Sequence, residues 1–284
     1  MRLVLVPNAL DARPGSGESD LGLWLPLGTV RTAAGLRHWV AENARSARAF
    51  LKRVDALVPL AVPLQEIAIV EWPRHGEPDV AALLRPALDG HDLGLLSESG
   101  LPALADPGAS LVAAAHDRGV PVTALPGPSA IALAVAASGL EGQRFAFVGY
   151  VPSDAGARDD RLRALEADSR RDRATQVLIE TPYRNAALLD AMLRVLAAET
   201  RLSVAVGLGT RSERVRTGAV SGWRSAPVDL PPDVPAVFSL LAAGTAPLSP
   251  ARRPPAGRPG PPPHRPRRKR SPWRRRARPP SSSS

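Results

Sequence analysis

The chain of 284 residues contains no cysteine, which excludes disulfides, thiolate metal sites and cysteine nucleophiles. Its five histidines, at 38, 75, 91, 116 and 264, fall at no ligand spacing, so no metal is expected. No apolar run approaches the roughly 18 residues of a membrane span. The opening Met-Arg-Leu-Val-Leu-Val-Pro is too short in its apolar part for a secretory signal. A soluble, cytoplasmic protein with no membrane attachment is therefore expected. The chain has no Gly-x-x-x-x-Gly-Lys-Ser/Thr loop and no dinucleotide fingerprint, so nucleotide hydrolysis and hydride transfer lose support.

Acids are missing from one region only. Residues 247–284 hold eleven Arg and one Lys but no Asp or Glu, whereas residues 1–246 carry 25 basic and 27 acidic side chains. The formal charge of +10 therefore belongs to the C-terminal end, and any general attraction to phosphate would come from there. Twelve prolines and a closing run of four serines leave this end almost nothing to bury, so 246–284 is expected to be disordered. It reads either as an RNA-binding arm or, preferred here, as a solvated appendage or a frameshifted end.

What the chain does have is two proline-glycine loops, Ser97–Gly108 and Leu125–Ala130. Each follows a short apolar run, 93–96 and 120–125, and each opens into an alanine-rich stretch with helical character. Strand, tight loop and helix in succession is how an α/β protein builds a ligand crevice at the carboxyl ends of its strands. Elsewhere the pattern predicts strands at 3–6, 37–41, 66–72, 145–148, 176–180, 202–206 and 235–241, with 214–220 as a hairpin partner. Helices are predicted at 29–36, 43–57, 77–88, 107–118, 128–138, 158–168 and 185–197. The alternation implies a mainly parallel sheet in the first half, and the closely spaced late strands imply a mixed sheet in the second. The expected architecture is two α/β domains, 1–141 and 142–245, followed by the tail.

Strand exits in both halves carry polar or glycine-containing segments: Glu42, Ser97-Glu98, Pro126-Gly127, Gly149-Tyr150 and Glu180–Arg184. If the two sheets face each other, these exits line one cleft. Pro126 and Pro128 make the second loop rigid, and Gly127 permits close backbone approach or a positive φ. Ser129 and Ala130 present amides at a helix start suited to an electron-rich group; alternatively, Ser129 merely caps that helix. Asp106-Pro107-Gly108 reads as a helix start, with Asp106 as the cap.

These segments, taken in order, resemble the tetrapyrrole methylase superfamily of S-adenosylmethionine-dependent methyltransferases. The likeness is to the branch containing the small-subunit ribosomal RNA 2′-O-ribose methyltransferases. Residues 40–51 are similar to the family's A-A/E-E-D-T-R-x-T-x-x-L-L segment, and 97–108 to its S-D-A-G-x-P-x-x-x-D-P-G loop. Residues 125–130, 138–140 and 145–152 match as they stand, and 179–184 resemble Y-E-S-P-H-R. The resemblance implies two α/β domains with the cofactor in the cleft between them.

By the same resemblance, Ser97, Glu98, Ser99, Gly100, Leu101, Gly127, Pro128, Ser129, Ala130 and Glu180 would contact S-adenosylmethionine. Arg45, Tyr150 and Arg184 would lie toward the acceptor, with Glu42 as the candidate base that removes the acceptor's proton. The implied partner is ribosomal RNA or the small ribosomal subunit, and the implied assembly a homodimer. A tetrapyrrole or another small molecule is the alternative acceptor, and a non-catalytic RNA-binding protein on the same fold is the third reading. Departures from the family pattern are Val6–Asp11 in place of its N-terminal glycine motif, Glu98-Ser99 for Asp-Ala, Asn43-Ala44 for Asp-Thr, and Gly207–Arg211 for Arg-Glu-Leu-Thr-Lys.

Overall fold

The computed structural model describes residues 1–10, 20–73, 75–226 and 228–244. The tail expected to be disordered lies outside these residues, as do residues 11–19. In chain order the first half contains β1 (Leu3–Val6), α1 (Leu27–Gly35), β2 (His38–Ala41), α2 (Ala44–Leu57), β3 (Ala68–Glu71), α3 (Val80–Leu88), β4 (Leu93–Leu96), α4 (Ala109–Asp117), β5 (Val122–Ala124) and α5 (Ala130–Ser138). The second half contains β6 (Phe145–Gly149), α6 (Ala155–Asp172), β7 (Thr175–Ile179), α7 (Asn185–Val195), β8 (Arg201–Val206), β9 (Arg214–Ala219), α8 (Val220–Ser225) and β10 (Ala236–Leu241).

β1 to β5 form one sheet in the order β3-β2-β4-β1-β5, and every pairing in it is parallel. The carboxyl ends of its strands therefore share one edge, and the loops after β1, β2, β4 and β5 emerge there. The second sheet runs β6-β7-β10-β8-β9. Its β6–β7 pair is parallel and the other three pairs are antiparallel, so this sheet is mixed as expected.

Side-chain periodicity explains the helices best where one stripe is buried. On α2 the stripe is Ala47, Phe50, Leu51 and Val54, and Phe50 packs edge-on to the fully buried Trp39 of β2. Burying a side chain such as Phe50 is worth about 2–3 kcal/mol relative to exposure. The helix starts where it does because Asn43 Oδ1 accepts from the Arg45 and Ser46 amides. A Cβ at Gly94 in β4 would stand 2.6 Å from the Trp39 ring. Only glycine fits beneath that indole.

α5 joins the two halves. Ile131, Ala134 and Val135 pack with Val177, Ala205 and Val237 of the second sheet, and Leu10 from the β1 exit packs against the same cluster. Thr217 Oγ1 on β9 donates to the Ser138 carbonyl at the end of α5. Gly209 completes the join, since its Cα backs onto Trp24 so closely that a Cβ would overlap the indole ring.

Candidate active site

The exit of β1 clasps the first proline-glycine loop. The Asn8 backbone exchanges two hydrogen bonds with Gly100, at 2.8 and 3.2 Å. Its side-chain Nδ2 donates to the Ser97 and Glu98 carbonyls, and its Oδ1 accepts from the Ala9 amide. Asn8 is 2% exposed, so its side-chain amide is spent on shaping this loop. The departure from the family's N-terminal glycine motif thus serves a structural purpose that the sequence did not disclose.

That loop is bent at four positive-φ residues: Gly100, Ala103, Ala105 and Gly108. The two alanines, at φ 63° and 64°, adopt a conformation that costs an L-residue about 1–2 kcal/mol. The bends turn Asp106 back toward the strand exits. Asp106 is not a helix cap: Gly108 is the residue before α4, and no side chain caps that helix. An Asp three residues ahead of the first helical residue stands too far back to cap it.

Asp106 instead joins the carboxylates at the edge of the first sheet. Burial, with Glu42 and Glu98 close by, pushes its carboxyl up to about 6, against a hydrogen bond from Ser97 that favours the ionised form. Burial also raises Glu42, as does the Glu98 charge, while a hydrogen bond from the Glu98 amide to Oε2, at 2.9 Å, pulls the other way. Glu98 turns its own carboxylate to Ser46 Oγ on α2. The Tyr150 phenol, at the exit of β6, is raised by burial and by Asp106, Glu180 and Glu42 in turn. Tyr150 therefore lies within electrostatic reach of acids from both sheets.

Glu180, at the exit of β7, is 7% exposed. It accepts from the Thr181 amide and hydroxyl, and its Oε2 lies 2.9 Å from Arg184 Nη2 as an ion pair. Arg184 thereby braces the short turn Pro182–Arg184 instead of pointing outward, whereas Arg45 is exposed in the first turn of α2.

A cavity of about 130 Å³ lies among these parts. Its walls include Ser99, Gly100 and Leu101 of the first loop, Ser129 and Ala130 of the second with Ile131 just after it, and Tyr150 and Ile179 at the exits of β6 and β7. Of the site residues expected from sequence, Ser99, Gly100, Leu101, Ser129, Ala130 and Tyr150 line it. Ser97, Glu98, Glu42, Arg45, Glu180, Arg184, Gly127 and Pro128 are not among its lining residues. Leu10, Leu104, Asp106 and Ile131 also line it, and sequence reasoning did not select them.

Gly127 carries no positive φ. A Cβ there would meet the Pro7 ring at 2.3 Å, so glycine is required by packing against β1's exit. Ser129 caps α5 through Oγ, accepting from the Ala132 amide at a long 3.5 Å. Thr29 Oγ1 holds the Pro126 carbonyl at 2.8 Å. Among the described residues no group of three or more His, Asp or Glu could hold a metal, and no helix is long and apolar enough to cross a membrane.

Comparison with known proteins returns one protein family and a set of relatives. The family described as Tetrapyrrole (Corrin/Porphyrin) Methylases matches residues 39–222. Among curated proteins, the chain is 39% identical over 131 residues to a Ribosomal RNA small subunit methyltransferase I of Mesorhizobium japonicum, covering 46% of this chain and 43% of that one. It is 38% identical over 141 residues to the protein of the same name from Mycobacterium tuberculosis, covering 50% and 48%. The chain thus spans about half the length of the curated relatives it matches. Among solved structures, the methyltransferase CobJ superposes with a TM-score of 0.54 at 16% identity, covering 85% of this chain and 94% of that one. A uroporphyrin-III C-methyl transferase from Thermus thermophilus, complexed with S-adenyl homocysteine, gives 0.50 at 23%, covering 85% and 97%. At these identities the structural likeness is one of fold.

Proposed function

This chain belongs to the tetrapyrrole (corrin/porphyrin) methylases, and from that premise we propose that it is an S-adenosylmethionine-dependent methyltransferase acting on a 2′-hydroxyl of small-subunit ribosomal RNA. The observation that carries the reading is the cavity into which both proline-glycine loops and the exits of β6 and β7 converge. Its lining suits the cofactor. Leu10, Leu101, Leu104, Ile131 and Ile179 offer apolar walls for a flat heterocycle, while Ser99, Ser129 and Asp106 offer polar atoms beside them. The surrounding carboxylates of Glu42, Glu98, Asp106 and Glu180 favour a ligand that carries positive charge.

Ser99–Leu101 and Ser129–Ala130 would hold the cofactor, with Ser97, Glu98, Gly127, Pro128 and Glu180 supporting those segments. S-adenosylmethionine, when bound, supplies an electrophilic sulfonium methyl. The protein's main contribution is alignment, which the rigid second loop and the Asn8 clasp favour. Glu42 is suited to take the acceptor's proton at Oε1, since Oε2 is engaged by the Glu98 amide. Its raised pKa makes it a better base than an ordinary surface carboxylate. The names of the relatives support ribosomal RNA as acceptor. A cytoplasmic homodimer belongs to the same reading, and sedimentation of the purified chain tests the dimer.

The decisive experiment incubates the protein with methyl-labelled cofactor and small ribosomal subunits lacking ribose methylation, then maps the modified nucleotide. Label on one ribose, lost in Glu42→Gln while calorimetric cofactor affinity stays within about threefold, is the expected result. Folded protein that binds no cofactor overturns the reading.

A further inference from the structure

The chain has two tyrosines, and both are exposed at the exits of neighbouring strands. Tyr150 follows β6 and is 59% exposed; Tyr183 follows β7 and is 73% exposed. β6 and β7 are paired in parallel, so both exits lie on one edge of the second sheet. Tyr183, nearly three-quarters in water, buries little of its ring in the fold.

The opposite lip of the site carries positive charge. On α2, Arg45, Arg48 and Lys52 recur at i, i+3 and i+7, which places them along one face of the helix, and that face is open to solvent. Arg48 Nη1 donates to the Ala44 carbonyl of its own helix, at 3.4 Å. The stripe begins beside Glu42 and Asn43 at the cleft and leads away from it along the helix.

Between these lips lie the carboxylates of Glu42, Glu98, Asp106 and Glu180. Such a cleft repels phosphates, and it equally repels the carboxylate side arms of a porphyrin-type acceptor. An RNA strand can satisfy all three surfaces only if its backbone stays outside.

We propose that the acceptor is single-stranded RNA whose phosphates follow the Arg45–Arg48–Lys52 face of α2 while a base stacks on Tyr183, so that only the target nucleoside enters the acidic cleft beside Tyr150. This rests on the methyltransferase reading above and names the surface that reading lacks. Stacking on an aromatic ring is sequence-tolerant because every base has a π-face, and phosphate contacts position a strand without reading it.

The test uses the full chain saturated with S-adenosylhomocysteine and a short unstructured oligoribonucleotide, followed by fluorescence anisotropy over a range of salt, each variant being read against wild type so that the phosphate attraction of residues 247–284 is common to both. Tyr183→Ala is expected to weaken binding about tenfold without changing the salt slope, and Tyr183→Phe to stay within about twofold of wild type. Arg48→Gln is expected to lower the salt slope by about one. An oligonucleotide made abasic throughout, with the same charge, should bind wild type and Tyr183→Ala equally. Two results overturn the proposal: Tyr183→Ala binding RNA like wild type, or Tyr183→Phe losing as much as Tyr183→Ala. Cofactor affinity, measured separately by calorimetry, distinguishes the two failures. A chain that binds no cofactor fails as a methyltransferase, whereas a Tyr183→Ala variant that methylates RNA as well as wild type sinks only this inference.

Discussion

The two proline-glycine loops look alike on paper and differ in what they do. The loop between β5 and α5 is held by packing. Gly127 lies against Pro7, Thr29 holds the Pro126 carbonyl, and Ser129 caps the following helix. The loop between β4 and α4 is held by the Asn8 clasp against its own strained backbone, and it carries Asp106 into a group of carboxylates. One loop is scaffold that presents its amides, and the other places charge where like charge already stands. Strain and electrostatic repulsion concentrate at sites that a ligand later completes.

The comparison breaks most readily at Gly127. Gly127→Ala places a methyl group 2.3–2.4 Å from the Pro7 ring carbons and is expected to cost about 2–3 kcal/mol. Thermal unfolding checks this, and an unchanged midpoint would mean that the second loop is not packing-limited.

Asp106→Asn probes the other loop. A carboxyl whose pKa is raised from 3.8 to about 6 holds a proton in the folded state that the unfolded chain releases. Wild-type stability therefore falls as pH rises from about 4 to 6, and the deficit is constant above that. The Asn variant, free of this titration, is expected to be the more stable by about 1 kcal/mol at pH 7 to 8, after allowing for solvent screening at a partly exposed group. The gain should vanish below about pH 4. Denaturant melts at both ends of that range decide it, and a pH-independent difference would remove Asp106 from the charged cluster.

The smallest effect is expected at Ala103. Ala103→Gly relieves a left-handed alanine and, after the larger backbone entropy of glycine in the unfolded chain is set against it, should stabilise by about 0.5 kcal/mol. The same melts measure it. A loss instead would show that the bend at 103 is not strained.

Much of this was readable in the chain. α2 announced itself through the helical spacing of Ala47, Phe50, Leu51 and Val54, since a buried stripe is a local signal; Asn43, expected inside the helix, is instead its cap. α6 runs from 155 to 172, beyond the expected 158–168. Its buried face is only Leu162, Leu165 and Ser169, and its start is fixed by Asp154 Oδ1 on the Ala157 amide. A mostly polar helix has too little apolar period to mark its ends. Asp106 was misread because Asp before Pro is a common helix start, whereas its real neighbours, Glu42 and Glu98, are brought to it by the β2–β4 pairing.

The sequence alone determined the alternation of strands and helices, the positions of the strand exits, the confinement of excess positive charge to residues 247–284, and the ordered motifs that mark the family. These are local or compositional properties, and they survive without coordinates. Only the tertiary structure decided that α5, apolar on nearly every side, covers the second sheet. It alone showed that Gly127 serves Pro7, that Asn8 shapes the first loop, and that Asp106 belongs with Glu42. Each of these depends on which distant residue stands opposite, and that is fixed by strand order and packing, which no local pattern encodes.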